Sequence, residues 1–76
     1  MKFMGIVKNV EEPFVYGEMT FHSVIIHEPA TLNNYKMGCS ASDHAVLAKA
    51  EKKPIQGNWE QDAKFKCRIV DFQLAA

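Results

Sequence analysis

Few residues in this chain could carry out covalent chemistry. Cys39, Asp43 and His44 lie close together in the sequence. A catalytic thiol, however, needs a base at hydrogen-bond distance and a third group to orient that base, and such sets are assembled by the fold rather than by closeness along the chain. Cys39 is therefore expected to be a structural thiol and His44 a surface residue of a helix. His22, His27 and His44, with Cys39 and Cys67, are of the types that bind zinc. His22 and His27 differ by an odd number and fall on opposite faces of an ideal strand, and no CxxC or HxxxH pair anchors a site. The adjacent Glu11 and Glu12 precede Pro13 and read as a solvated edge guard rather than an acid/base couple. Neither GxGxxG nor GxxxxGK[ST] is present, so nothing cradles a phosphate tail. An enzyme is not expected here, nor a metal or cofactor.

What remains is binding. Lys64, Lys66 and Arg68 alternate with Phe65, Cys67 and Ile69, which gives a strand one cationic and one apolar face. A row of cations can follow a sugar-phosphate backbone, and aromatic rings nearby can stack on bases. Tyr16, Tyr35 and Trp59 are the candidate stacking groups, with Phe14 as a further ring, and His22 and Lys36 can join the patch if the second and third strands form its floor. The same row has a plainer use, as a solvated face or as protection of an edge strand from unwanted pairing. Phe3, Phe21, Phe65 and Phe72 are assigned to the core.

The elements that must position these residues follow from periodicity. Lys2 to Val10 is dense in apolar and β-branched residues and reads as a strand buried on both faces for part of its length, with Gly5 allowing it to bend at a barrel corner. Phe14 to Glu18 is an aromatic turn in which Gly17 supplies positive φ. Met19 to His27 is a second strand, with Met19, Phe21, Ser23 and Ile25 on one face and Thr20, His22, Val24 and Ile26 on the other. Tyr35 to Ser40 is a short third strand in which Gly38 is a candidate bulge position. Ser40-Ala41-Ser42-Asp43 has the pattern of a capping box, so a helix of about three turns should follow and stop before Pro54. Ile55 to Asp62 is rich in turn formers, with Gly57-Asn58 able to reverse the chain. Lys64 to Ile69 is the clearest strand, changing phase at Ile69-Val70 through a bulge near Asp71 or a passage from a half-exposed to an enclosed environment.

Length and composition agree with one domain over 1–76, since 76 residues close a single core and too few remain for a second. Nine basic residues balance nine acidic ones, which removes the global cationic field of a duplex-coating protein and leaves only a local patch for nucleic acid. No apolar run reaches the roughly 18 residues of a membrane span, and the N-terminus lacks a signal peptide's apolar stretch, so the expected location is cytoplasmic with no membrane partner. A core this small leaves a thin stability margin, which a homodimer would widen.

Gly5 in the first strand, the Phe14-Val15-Tyr16-Gly17 turn and a helix between Ser40 and Lys53 before the last strand are together similar to the OB-fold, a small Greek-key barrel. The chain most resembles the small single-stranded DNA-binding proteins of phages and plasmids. That resemblance implies a mainly β barrel with one short helix, which would bind oligonucleotides on its second and third strands and through its L12 and L45 loops. Four strands are evident, and the fifth must come from dividing a long segment or from Ile55 to Trp59. The acidic C-terminal tail of the cellular single-strand binders is lacking. The expectation is non-sequence-specific binding of single-stranded DNA through Tyr16, Tyr35, Lys36, Trp59, Lys64, Lys66 and Arg68. The alternative is a protein-interaction module or inhibitor that docks on a host protein through a strand edge or through the apolar face of Met19, Phe21 and Ile25.

Overall fold

Runs of β-branched and aromatic residues form strands, and Gly, Pro and acidic breaks set their ends. In the computed structural model, which describes residues 1–63 and 67–75, these are β1 (Lys2–Val10), β2 (Phe14–Tyr16), β3 (Met19–Glu28), β4 (Asn33–Cys39), β5 (Pro54–Glu60) and β6 (Arg68–Leu74), with helix α1 (Ala41–Ala48) between β4 and β5. Among the described residues no helix is long and apolar enough to cross a membrane.

The strands close on themselves. β1 pairs with β5 through Lys2 to Ile6 and with β3 through Ile6 to Val10, so one strand changes partner partway along its length. β5 pairs with β6, β6 runs parallel to β4 at Gly38 and Arg68, and β4 pairs with β3, which completes a ring. The result is a closed five-stranded barrel of mainly β structure with one short helix, an OB-like architecture. β2 is outside the ring, hydrogen-bonded to the start of β3 as a short hairpin.

Gly5 sits where β1 changes partner, and its role is close approach: a Cβ there would collide with Ile26 Cγ2 and the His27 carbonyl. The irregularity in β1 falls slightly later, between Val7 and Asn9. It is held by the segment after the helix, where Lys52 N–H donates to Val7 O, Val7 N–H donates to Lys53 O, and Lys52 Nζ donates to Lys8 O.

Val7, Val24, Ile26, Met37, Cys39, Leu47, Ile55 and Ile69 form the buried core, and Phe3, Val10, Trp59, Cys67 and Phe72 pack against it. α1 contributes Leu47, fully buried, and packs on β1 and β3. Its N-terminus is the one the sequence predicts: Ser40 Oγ accepts from Asp43 N–H at 3.1 Å. The helix is shorter than expected, ending at Ala48 before a turn that carries the chain to Pro54.

Several local expectations change. Phe14 to Tyr16, expected within a turn, is the strand β2, because β3 offers it a ladder partner. Ile55 to Asp62, read as turn-rich, is largely the strand β5, because β1 and β6 offer ladder partners on both of its sides and pairing overrides the weak propensities of Gln56, Gly57 and Asn58. Gly57 is there for packing rather than for a reversal, since a Cβ would run into the Asp71 carbonyl and the backbone of Phe72. Gly38 is not a bulge, as β4 keeps regular register with β3 from Asn33 to Cys39. The bulge expected near Asp71 is present: Asn58 faces Asp71 and Trp59 faces Ile69, which leaves Val70 as the extra residue.

Candidate nucleic-acid interface

Residues directly opposite on neighbouring strands share a side of the sheet, so the register defines a surface. On β3 the buried Val24 and Ile26 point inward, and Phe21, Ser23, Ile25 and His27 therefore point out. This reverses the assignment of Phe21 to the core: its ring meets that of Phe14 at 6.5 Å on the outside of the hairpin. Phe14 lies opposite Phe21 and Tyr16 opposite Met19, which makes one side of the β2–β3 ribbon wholly apolar. Phe14, Val15 and Tyr16 are 64%, 65% and 73% exposed.

The same outer side continues onto β4 and β6. Ile25 faces Lys36, Ser23 faces Gly38, and Gly38 faces Arg68. Ser23 and Gly38 are small and buried, so they form a floor between the larger side chains on either hand. Phe21 and Arg68 from this side of the sheet, with Thr20, His22 and Cys39 from the other and Ser40 before the helix, line a small cavity of about 290 Å³. Across β2, β3, β4 and β6 the outer surface therefore passes from rings (Tyr16, Phe14, Phe21) to cations (Lys36, Arg68).

Three of the sequence-predicted residues, Tyr16, Lys36 and Arg68, share this side of the sheet, Tyr16 lying opposite Met19 and Lys36 opposite Ile25, six residues further along β3. Tyr35 shares the inward side of Ile26, opposite to Lys36, and its hydroxyl accepts from Asn33 Nδ2 at 3.3 Å. Trp59 is on β5 opposite Ile69 and packs against the core. Lys64 and Lys66 lie outside the described residues, as does Phe65. Met19, Phe21 and Ile25 were legible as one face of a strand, but periodicity alone could not say that this face turns outward. The buried pair Val24 and Ile26 decides it.

Charge is divided unevenly. Between Lys8 and Lys36 the chain has no lysine or arginine, only Glu11, Glu12, Glu18 and Glu28 among its charged residues. The hairpin is thus aromatic and flanked by acids, and the cations lie beyond it on β4 and β6.

The groups weighed for catalysis and for metal binding make packing and hydrogen-bond contacts. Burial pushes the Cys39 thiol up to about 11, with the Asp43 carboxylate adding to the rise and the Arg68 guanidinium opposing it, so a reactive thiolate is disfavoured. His44 Nε2 donates to the Glu11 carbonyl at 2.6 Å, and the His44 ring meets the His22 ring edge-on at 5.2 Å, fastening the helix to the segment before β2. His27 Nδ1 donates to Asn34 Oδ1 at 2.8 Å across β3 and β4. Among the described residues no group of three or more His, Cys, Asp or Glu side chains is gathered for a metal.

A larger cleft lies elsewhere, about 1040 Å³ between the Glu28-Pro29-Ala30 turn and β1, β5 and β6. Its lining holds one cation, Lys2, against Glu28 and Asp71, which is poorly suited to a polyanion. The ring-to-cation surface is the better candidate for an interface with nucleic acid. The chain matches no protein-family model, no curated protein and no solved structure.

Proposed function

We propose that this protein binds single-stranded DNA without sequence preference, as a small phage- or plasmid-type protein of the cytoplasm. The observation that carries this reading is the order of groups on one outer face of an OB-like barrel, rings on β2 and β3 beside cations on β4 and β6. Bases lie over Tyr16, Phe14 and Phe21, where every base offers a π-face, and phosphates follow Lys36 and Arg68. The glutamates beyond the rings repel phosphate and so fix which way the backbone lies. A neutral chain can bind in this way because the attraction is local.

The test is fluorescence anisotropy of a labelled oligothymidine over a range of salt. Binding at low salt that weakens as salt rises is expected, and Lys36→Ala should reduce the slope of log K against log salt by about 0.7, the contribution of one phosphate contact on a single strand. No binding at low salt, or binding indifferent to salt, overturns the reading.

A further inference from the structure

Every strand of the barrel has a neighbour on both sides, and among the described residues β2 is the strand with only one. We propose that the open edge of β2 is a docking site for an extended segment of another protein, one with an apolar centre flanked by lysine or arginine. The proposal does not rest on the nucleic-acid reading, since it is argued from the backbone at the edge of β2, although a docked strand would also cover Phe14 and Tyr16, two of the rings that reading uses.

The edge is defined by the hairpin turn. Gly17 has φ +63° and occupies the first place of a two-residue connection between the facing residues Tyr16 and Met19. In such a hairpin the closing pair exchanges hydrogen bonds and the pairs then alternate, so Tyr16 and Phe14 direct their backbone groups at β3. Val15 directs its N–H and C=O away from β3, to the open side. Natural edges are usually guarded by lysine, by proline or by a bulge within the strand. β2 is short and is preceded by Glu11, Glu12 and Pro13, but Phe14-Val15-Tyr16 itself has no charge, proline or bulge, and all three side chains are exposed.

Charge selects the occupant. A second copy could pair about a two-fold axis only with Val15 opposite Val15, because Val15 alone offers both backbone groups. Glu12 would then face Glu18 of the other copy, and Glu18 its Glu12, and like charges directly opposite are destabilising. An incoming strand with basic flanks turns the same carboxylates into attraction, while its apolar centre covers Phe14 and Tyr16.

The probe is the synthetic peptide Lys-Lys-Val-Phe-Val-Lys-Lys, titrated against the full chain labelled with ¹⁵N and compared with Glu-Glu-Val-Phe-Val-Glu-Glu. The lysine-flanked peptide should shift the amide signals of Val15 and Gly17, and the glutamate-flanked one should bind at least about tenfold more weakly. Val15→Pro removes the outward N–H without touching the β2–β3 ladder and should abolish peptide binding while leaving the spectrum of the barrel and the affinity for oligothymidine unchanged. The proposal is overturned if neither peptide binds, if both bind alike, if binding survives Val15→Pro, or if the chain alone forms a dimer in sedimentation that Val15→Pro disperses. Failure of oligothymidine binding with retained peptide binding removes the nucleic-acid reading and leaves this one standing.

Discussion

Val24 and Ile26 are sealed inside the barrel, whereas Phe14, Val15 and Tyr16, attached to the same strand β3 by a two-residue turn, are largely in solvent. Both groups are apolar, and both lie in regular β structure. Location alone separates them: the first sit in a ring where every strand is paired twice, the second on a strand paired once. In the ring, apolar area is removed from water and stabilises the fold. In the hairpin the same kind of area stays available for a ligand, which is how a small domain can keep a binding surface without weakening its core.

The comparison makes its largest prediction at Leu47, the fully buried side chain with which α1 fills the barrel. Leu47→Ala should lower the free energy of unfolding by about 2–5 kcal/mol, through lost transfer energy and the cavity left behind. Phe14→Ala, a larger truncation but at an exposed position, should change it by no more than about 0.5 kcal/mol. Urea unfolding of both variants measures the contrast. Equal losses would mean that the hairpin is part of the core in energetic terms, and the division drawn here would fall.

A second effect separates the two regions by pH. The unfolded Cys39 thiol releases its proton near 9, whereas in the barrel burial holds that proton until about 11. Between these values the unfolded chain binds fewer protons than the folded one, so stability falls as pH rises through the window and is unaffected below it. The loss attributable to this thiol amounts to about 2–3 kcal/mol at most, from about 1.4 kcal/mol for each unit of pH. Cys39→Ala should show a shallower decline of stability between pH 9 and 11 than the parent chain when both are followed by urea unfolding. Parallel declines would show that the barrel does not hold the thiol proton.

Much of this division could be read from the sequence, and the parts that could not have identifiable causes. The capping pattern at Ser40 and Asp43 and the phase change near Val70 are local signals with counterparts in the structure, whereas Gly5 is required for close approach and the irregularity of β1 lies between Val7 and Asn9. β5 was hidden because Gln56, Gly57 and Asn58 have turn-like preferences that only pairing with β1 and β6 overrides. Phe21 was misplaced for a related reason. Both faces of β3 carry apolar residues, so alternation shows two faces but does not say which is inside. The cations Lys36 and Arg68 were recognisable by type, but that they share a side with Tyr16 depends on the register of β4 with β3 for Lys36 and on the parallel contact of β4 with β6 for Arg68, which no short stretch of sequence reveals.

The smallest expected change in stability, and the most informative for function, is at Tyr16. It is the most exposed ring of the hairpin and lies opposite Met19, itself 41% exposed, so its removal leaves no buried cavity. Tyr16→Ala should therefore shift the urea midpoint by no more than the equivalent of about 0.5 kcal/mol. If a base stacks on this ring, the same variant should lose about 1–3 kcal/mol of affinity for oligothymidine, which is about 5- to 150-fold. The salt dependence should be unchanged, because no phosphate contact is removed. Tyr16→Phe keeps the ring and should retain the affinity. Loss of affinity in Tyr16→Phe would point to the hydroxyl rather than the π-face, and an unaltered affinity in Tyr16→Ala would move the bases off the hairpin and onto the barrel wall between Phe21 and Arg68.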